Sequence, residues 1–212
     1  MLTTTFNLTG TNMQHYYALN TCSLSPRIVL KELRLPYRAV RVDMHSKRTA
    51  DGRDFREINP KGYLAALELD NGEVLTEGAV IVQYLADLKP SAGLAPPQGS
   101  WQRVRLQEWL NFITSEIHAG IAPLFNAALP PDVRNIFIGK LKRRVALLET
   151  ALQKNAYLLG AEFGVADAYL FTVLGWFRFF HIDLQQWPAL AAYQERVGSR
   201  PAVRAALKAE AS

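Results

Sequence analysis

Residues 58–88 constrain the fold more than any other part of this sequence. Two short apolar segments, 65–69 and 73–76, flank Asp70-Asn71-Gly72. Asn-Gly favours the positive φ angles of a two-residue hairpin turn, so the segments are predicted to pair as antiparallel strands. After Glu77-Gly78, apolar residues recur at spacings of three and four, which predicts a helix beside the last strand. These helical residues are Val80, Ile81, Tyr84, Leu85 and Leu88.

The predicted start of that helix has features suited to both charged ends of an amino acid. Its first N–H groups have no partner within the helix and carry partial positive charge, which favours a carboxylate. Gly78 lets a ligand approach the backbone closely, and the Glu77 carboxylate can hold an ammonium group. The same pattern also fits a hairpin followed by an ordinary surface helix that binds nothing.

Cys22, the only cysteine, follows a β-prone run at residues 14–19 and precedes a helical apolar stripe that includes Leu24 and Ile28. Ser23 is predicted to cap this helix. Because a helix N-terminus stabilises negative charge, we expect the junction to lower the pKa of the Cys22 thiol. The alternative is that Cys22 is a small buried hydrophobic residue, as lone cysteines usually are.

The predicted elements divide the chain into two domains. Residues 37–43 form a second strand, parallel to the first because a helix intervenes. A short helical piece, the hairpin and the helix follow, which is the element order of an α/β thioredoxin-like domain over residues 13–88. Residues 89–100 are rich in Pro, Gly and Ser and are predicted as a linker. Residues 101–212 are predicted to form an all-α domain with helices at 101–120, 133–154, 165–179, 188–198 and 201–210.

Several classes of protein are excluded by what the sequence lacks. One cysteine allows neither an internal disulfide nor a cysteine-based metal site, and the four histidines lack zinc-site spacing, so we predict no metal. The basic run KLKRR at 140–144 has no interleaved aromatic residues, which favours a solvated helix face over nucleic-acid binding. The longest apolar stretch is shorter than the roughly 20 residues that cross a bilayer. Residues 1–12 resemble no secretory signal and are predicted as a flexible leader, so we expect a cytoplasmic protein with no membrane partner.

Several motifs together carry a resemblance to a known family. INPKG, a strand, a hairpin and LTEGAVIVQYL resemble the glutathione-binding half of cytosolic glutathione S-transferases. TCSLSPRIVL resembles the cysteine junction of the bacterial beta class of that family. FGVAD at 163–167 and SRPAV at 199–203 are similar to elements of its helical domain. The resemblance runs from Met13 to the C-terminus and implies a thioredoxin-like domain followed by an all-helical domain, in a homodimer.

The resemblance also implies a function and a ligand site. The protein would conjugate glutathione, a co-substrate rather than a cofactor, to small hydrophobic electrophiles. Glu77 and Gly78 would hold the γ-glutamyl group, the Leu64 backbone would pair with the cysteinyl unit, and Lys47 would bind the glycine carboxylate. A flexible, solvated Lys47 remains an equal alternative.

The helix predicted from residue 101 supplies the remaining site residues. Asn111, Ser115 and His118 are spaced by four and three, so they are predicted to share one helix face. In the family, a histidine at the position of His118 points at the glutathione sulfur, which Cys22 also approaches. An asparagine at the position of Asn111 reaches the ligand bound by the partner subunit. The electrophile pocket is expected to involve Ile121, Phe125, Tyr169 and Trp176.

The largest departure from the family lies at Leu64-Ala65, where family members have a cis peptide bond before proline. Since a cis bond before a non-proline residue costs about 3 kcal/mol, we predict a trans bond and partial loss of the Leu64 backbone pairing. Because of this departure and the altered loop Leu19-Asn20-Thr21, one alternative remains a non-catalytic protein of this fold that binds a small ligand or another protein. Thiol-disulfide exchange through Cys22 is a second enzymatic alternative.

Overall fold

A computed structural model describes residues 12–211 of the 212-residue chain. The predicted leader, residues 1–12, lies outside the described residues except for Asn12. The chain divides into two compact units: Leu94–Pro201 is one, and residues up to Gly93 together with those from Ala202 onwards are the other. Each unit is described below by itself.

The first unit is built on a five-stranded mixed sheet in the order β3-β2-β1-β4-β5. Strands β1 and β2 are parallel, as predicted from the intervening helix, whereas β4 is antiparallel to both β1 and β5. Strand β3 was not predicted. The elements are β1 (Gln14–Tyr17), α1 (Leu24–Leu33), β2 (Arg38–Asp43), β3 (Arg48–Thr49), α2 (Phe55–Ile58), β4 (Ala66–Glu68), β5 (Val74–Thr76) and α3 (Gly78–Leu88).

Both faces of this sheet are covered, so neighbouring residues of one strand are buried on opposite sides. On one face, Tyr16 and Ala66 pack with Phe55 of α2 in a cluster that excludes solvent. On the other face, Leu67 is fully buried. Helices α1 and α3 pack against each other, and Ile28 of α1 is fully buried as well. This arrangement confirms the predicted thioredoxin-like α/β domain.

The hairpin between β4 and β5 forms at the predicted place but with a different turn. The Leu69 N–H donates to the Glu73 carbonyl oxygen at 2.8 Å, so this last hydrogen-bonded pair of the hairpin encloses three residues rather than two. Only Gly72 has a positive φ, 83°, and Asn71 does not. A type I turn followed by a left-handed glycine is the usual geometry of three-residue hairpin loops, and it needs one positive φ angle instead of two. The predicted two-residue turn was therefore wrong.

The second unit is helical, as predicted, and no strand of the sheet belongs to it among the described residues. All ten residues of its central helix, Val165–Leu174, are buried, and this helix packs against the one at Pro188–Gly198. The helices are α4 (Trp101–Phe112), α5 (Ala119–Ile121), α6 (Pro131–Leu152), α7 (Val165–Leu174) and α8 (Pro188–Gly198). A π-helical segment, Ile113–His118, lies between α4 and α5.

The last helix, α9 (Pro201–Ala211), packs with the first unit from Ala202 onwards. The sequence predicts these residues as part of the helical domain, whereas in the structure they group with the first unit. Among its residues, Glu210 is buried and interacts electrostatically with Arg27 of α1. No helix in the part of the chain described here is long and apolar enough to cross a membrane.

Candidate functional site

The candidate residues of the first unit gather where α1 and α3 begin. The Cys22 thiol, two residues before α1, donates a hydrogen bond to the Leu64 carbonyl oxygen at an Sγ–O distance of 3.1 Å. A Cβ added at Gly78, the first residue of α3, would lie only 3.7 Å from the Ser25 hydroxyl oxygen. The structure therefore brings together Cys22, Leu64 and the Glu77-Gly78 pair, which are separated by many residues in the sequence.

The pKa of Cys22 is shifted in the direction opposite to the sequence-based expectation. The pKa of the thiol is raised from 9.0 to about 12, mainly by burial and to a smaller extent by the negative charges of Glu77 and Glu210. The backbone hydrogen bond at the helix junction acts in the other direction but is outweighed. The expected lowered pKa was wrong because Cys22 is only 8% exposed. Burial destabilises the thiolate by more free energy than the helix N-terminus stabilises it.

Ser23 does not cap α1 with its side chain, although it occupies the N-cap position. Its hydroxyl instead hydrogen bonds with the Thr21 hydroxyl at 2.7 Å and with the Ala18 backbone. The predicted cap was therefore wrong. Ser23 ties the loop before the helix to the end of β1, which fixes the backbone on either side of Cys22.

The peptide bond between Leu64 and Ala65 is cis, so the predicted trans bond was wrong. The prediction used the intrinsic preference of an isolated bond before a non-proline residue. In the fold, Leu64 and Ala65 are both buried, and the Leu64 carbonyl accepts the thiol hydrogen bond of Cys22. The Leu64 N–H has no hydrogen-bond partner among residues 12–211.

Glu77 is the N-cap residue of α3 and has an unusual backbone conformation, with φ 71° and ψ 108°. Positive φ at a residue with a side chain is uncommon and occurs often at ligand sites. The Glu77 carboxylate accepts a hydrogen bond from Lys61 Nζ at 2.5 Å, and both side chains are about half exposed. Lys61 lies in the INPKG motif, but no sequence pattern predicted a role for its side chain. The Lys61 ammonium group therefore already pairs with the carboxylate that was predicted to bind the ammonium group of the ligand.

Lys47 lies in the turn between β2 and β3 with a left-handed φ of 58°. Its backbone N–H donates to Asp43, and its carbonyl accepts from the Phe55 N–H at 2.7 Å. The Lys47 side chain makes no hydrogen bond with any residue the structure describes. The turn is thus fixed at the backbone, while the ammonium group is available to an anionic ligand.

The candidate residues of the second unit lie on or beside the π-helical segment. A π turn contains more residues than an α turn, so a spacing of three covers less of a full turn. Asn111 and Ser115 are exposed and connected by a hydrogen bond from the Ser115 hydroxyl to the Asn111 carbonyl, at 2.9 Å. His118 is half-buried and contacts Tyr169 of α7, whereas Asn111 and Ser115 are exposed. Sequence periodicity assumed a regular α-helix and missed the π segment.

The His118 imidazole is surrounded by aromatic side chains. Its Nδ1 is 2.7 Å from the Tyr169 hydroxyl oxygen, and its ring meets Trp176 edge-on at a centroid distance of 4.8 Å. Trp176 also contacts Phe125, which is 51% exposed. Three of the four residues expected in the electrophile pocket are in this group, whereas Ile121 is fully buried. Phe179 and Phe180 contact Phe125 as well, and neither was predicted to belong to this pocket.

Comparisons with known proteins give the same family for both units. Residues 21–88 match the family model described as glutathione S-transferase, N-terminal domain, and residues 107–196 match the C-terminal domain model. Glutathione S-transferase GstA of Escherichia coli O157:H7 is 39% identical over 198 residues, which cover 93% of this chain and 98% of the relative.

Solved structures agree with the sequence relatives. A sphingomonad glutathione S-transferase complexed with glutathione is 41% identical, with a TM-score of 0.91, over 93% of this chain and 98% of that one. A bacterial beta class glutathione S-transferase of Sphingomonas chungbukensis is 40% identical, with a TM-score of 0.89 and the same coverage.

Proposed function

Because this chain belongs to the glutathione S-transferase family and resembles its bacterial beta class, we propose that the residues around Cys22 bind glutathione. The protein is a glutathione transferase, which joins the glutathione sulfur to a small hydrophobic electrophile. The observation that supports the site is the meeting of Cys22, the Leu64 backbone and the start of α3 in one unit.

Glu77 and Gly78 bind the γ-glutamyl end of glutathione in this proposal. The free N–H groups at the start of α3 hold its carboxylate, since they carry partial positive charge and no side chain stands between them and the ligand at Gly78. The Glu77 carboxylate holds its ammonium group. Lys61 already pairs with Glu77, so the ligand ammonium either shares that carboxylate or displaces the lysine.

The middle and the far end of glutathione use the Leu64 backbone and Lys47. The Leu64 N–H has no partner among the described residues, so it can donate to the backbone of the cysteinyl unit. The Lys47 ammonium, on a turn fixed at its backbone, binds the glycine carboxylate. Each of these contacts pairs a ligand group with a protein group of complementary charge or hydrogen-bonding capacity.

Cys22 and His118 act on the glutathione sulfur in this proposal. Because its pKa is about 12, Cys22 stays a neutral thiol near neutral pH and acts as a hydrogen-bond donor rather than as the attacking group. The Cys22 S–H turns from the Leu64 carbonyl oxygen to the glutathione sulfur when the ligand binds. Donation to the sulfur from this thiol and from His118 favours the thiolate and so lowers the pKa of the glutathione thiol. The thiolate then attacks the electrophile, forming the carbon–sulfur bond as the leaving group departs.

The remaining features follow the resemblance. We propose a cytoplasmic homodimer that detoxifies electrophiles, in which the exposed Asn111 reaches the glutathione bound by the partner subunit. The test is size-exclusion chromatography with light scattering, for which the expected result is the mass of two chains. A monomer that retains full activity would contradict the proposed homodimer and the role of Asn111.

Replacing the Glu77 carboxylate tests the γ-glutamyl site directly. We expect Glu77→Gln to weaken glutathione binding about tenfold in calorimetric titration, because the amide keeps the shape but loses the charge that pairs with the ammonium. The matched control is Glu73→Gln, an exposed glutamate in the hairpin of the same unit, whose change should alter affinity less than about twofold. Equal affinities for the two variants would contradict the assignment of Glu77.

Turnover with a chloronitrobenzene tests the sulfur chemistry. His118→Ala is expected to lower kcat about tenfold or more, since one donor to the developing thiolate is removed. Cys22→Ala should retain measurable turnover, because the thiol is not the nucleophile. A wild-type protein that neither binds glutathione nor turns over the substrate would leave only the binding-protein alternative.

A further inference from the structure

The Tyr169 hydroxyl is held in a fixed position beside His118. Tyr169 belongs to α7, in which every residue is buried, and its own side chain is only 3% exposed. The hydroxyl oxygen lies 2.7 Å from His118 Nδ1. Because a packed helix allows little movement of a buried ring, this contact is set by the core of the unit rather than by the surface.

The His118 ring is also restrained by its neighbours. Tyr169 and Trp176 both meet it edge-on, at centroid distances of 5.9 and 4.8 Å. These contacts restrict rotation of the imidazole about its side-chain bonds. With Nδ1 directed at Tyr169, the opposite ring nitrogen, Nε2, must point away from that hydroxyl.

The chemistry of the two groups decides which one donates. A phenol O–H is a stronger donor than a neutral imidazole N–H, and an imidazole lone pair is a stronger acceptor than a phenol oxygen, whose lone pairs are delocalised into the ring. The hydrogen bond at one imidazole nitrogen fixes the protonation of the other. Donation from Tyr169 to Nδ1 therefore leaves the proton of the neutral ring on Nε2.

We infer that Tyr169 is a positioning residue whose hydroxyl donates to His118 Nδ1 and holds the neutral imidazole as the Nε2–H form. The inference deepens the proposed function, and its effect on turnover rests on the proposed role of His118 at the glutathione sulfur. A ring fixed in this form presents an N–H donor at Nε2, which is the group needed to stabilise a thiolate.

Nitrogen NMR of the histidine rings tests the hydrogen bond independently of activity. In protein with ¹⁵N-labelled histidine, at a pH where the ring is neutral, wild-type His118 should show Nδ1 unprotonated and Nε2 protonated; the signals are assigned by their loss in His118→Ala. Tyr169→Phe keeps the ring but removes the donor, so a mixture of both forms is expected. Tyr157→Phe is the control: it lies in the same unit and its hydroxyl makes no hydrogen bond among the described residues, so it should leave the wild-type signals unchanged.

Kinetics then connects the hydrogen bond to the reaction. Tyr169→Phe should lower kcat about tenfold while leaving the KM for glutathione within about twofold, as expected when one hydrogen bond that orients a donor is lost. A wild-type His118 protonated on Nδ1, or a Tyr169→Phe variant with wild-type signals and kcat, would overturn the inference. If instead His118→Ala keeps full turnover, the proposed role of His118 fails, while the NMR comparison still decides whether Tyr169 sets the protonation of the ring.

Discussion

Iodoacetamide at pH 7.5 is expected to alkylate Cys22 in the folded protein about a thousandfold more slowly than an unperturbed cysteine. Only the thiolate reacts, and raising the thiol pKa from 9.0 to about 12 lowers the thiolate fraction by three powers of ten. Because Cys22 is the only cysteine in the chain, mass spectrometry of the intact protein reports this one reaction.

The pH dependence of the alkylation distinguishes a raised thiol pKa from simple occlusion of the side chain. Below its folded-state pKa the thiol is neutral, so the rate should rise about tenfold per pH unit up to the limit of protein stability, without the levelling that an unperturbed thiol shows above pH 9. Unfolding in guanidinium chloride should restore the rate of a free cysteine. Rapid alkylation of the folded protein at pH 7.5 would contradict the raised pKa.

The raised pKa of Cys22 also disfavours thiol-disulfide exchange through this residue. Exchange requires attack by a thiolate, and the neutral, buried thiol supplies very little of it near neutral pH. We therefore expect no glutathione adduct on Cys22 after brief incubation with oxidised glutathione at pH 7.5. An adduct that forms rapidly under these conditions would favour exchange over conjugation as the reaction at this residue.

The sequence predicted those features that depend on periodicity and on the order of elements. Alternating and helical apolar patterns, such as the one after Gly78, gave the mixed sheet and the helices, since burial of apolar faces decides both. The junction at Cys22 and the helix start at Gly78 were also found, because turn residues and glycine mark them. Their meeting in space follows from the antiparallel pairing of β4 with both β1 and β5, which places the ends of β1 and β5 beside the start of β4.

The features that the sequence missed depend on surroundings rather than on local preference. A cysteine before a helix is predicted to be acidic, but burial of Cys22 reverses the direction of its pKa shift. The Leu64-Ala65 bond is cis although the isolated bond prefers trans. The π segment before His118 inserts an irregular turn into a region whose apolar pattern reads as a continuous helix.

Asp167→Ala is expected to be the most destabilising of the substitutions considered, by about 3 to 5 kcal/mol in the free energy of unfolding. The Asp167 carboxylate is 1% exposed and accepts hydrogen bonds from the Leu158 and Gly164 N–H groups, at 3.0 and 2.8 Å, and from the Tyr193 hydroxyl at 3.1 Å. Alanine leaves all three buried donors without this acceptor. Urea unfolding followed by circular dichroism measures the loss.

Because residue 164 is a glycine, the Asp167 carboxylate contributes more to the start of α7 than it would in a helix whose N-cap residue has a capping side chain. Gly164 is the N-cap residue of α7 and has no side-chain oxygen, and a Cβ there would lie 3.1 Å from the Leu94 carbonyl oxygen. That carbonyl instead accepts the Val165 N–H at 2.9 Å. The start of α7, the helix that holds Tyr169, is thus organised by Asp167 and the Leu94 backbone in place of the usual Ser or Thr cap.

The effect of Asp167→Ala should also depend on pH. Burial raises the pKa of Asp167 from 3.8 to about 6, so its contribution to stability is fully present below pH 3.8 and is reduced as the pH rises through 6. The destabilisation should therefore be larger at pH 4.5 than at pH 7.5. Asp183→Ala, which removes an exposed carboxylate that caps a short helix, is the matched control and should cost about 1 kcal/mol or less. The control should lose less stability because water can replace the exposed Asp183 carboxylate, whereas it cannot replace the buried Asp167 carboxylate. Equal losses of stability for the two variants, independent of pH, would contradict the central role of Asp167.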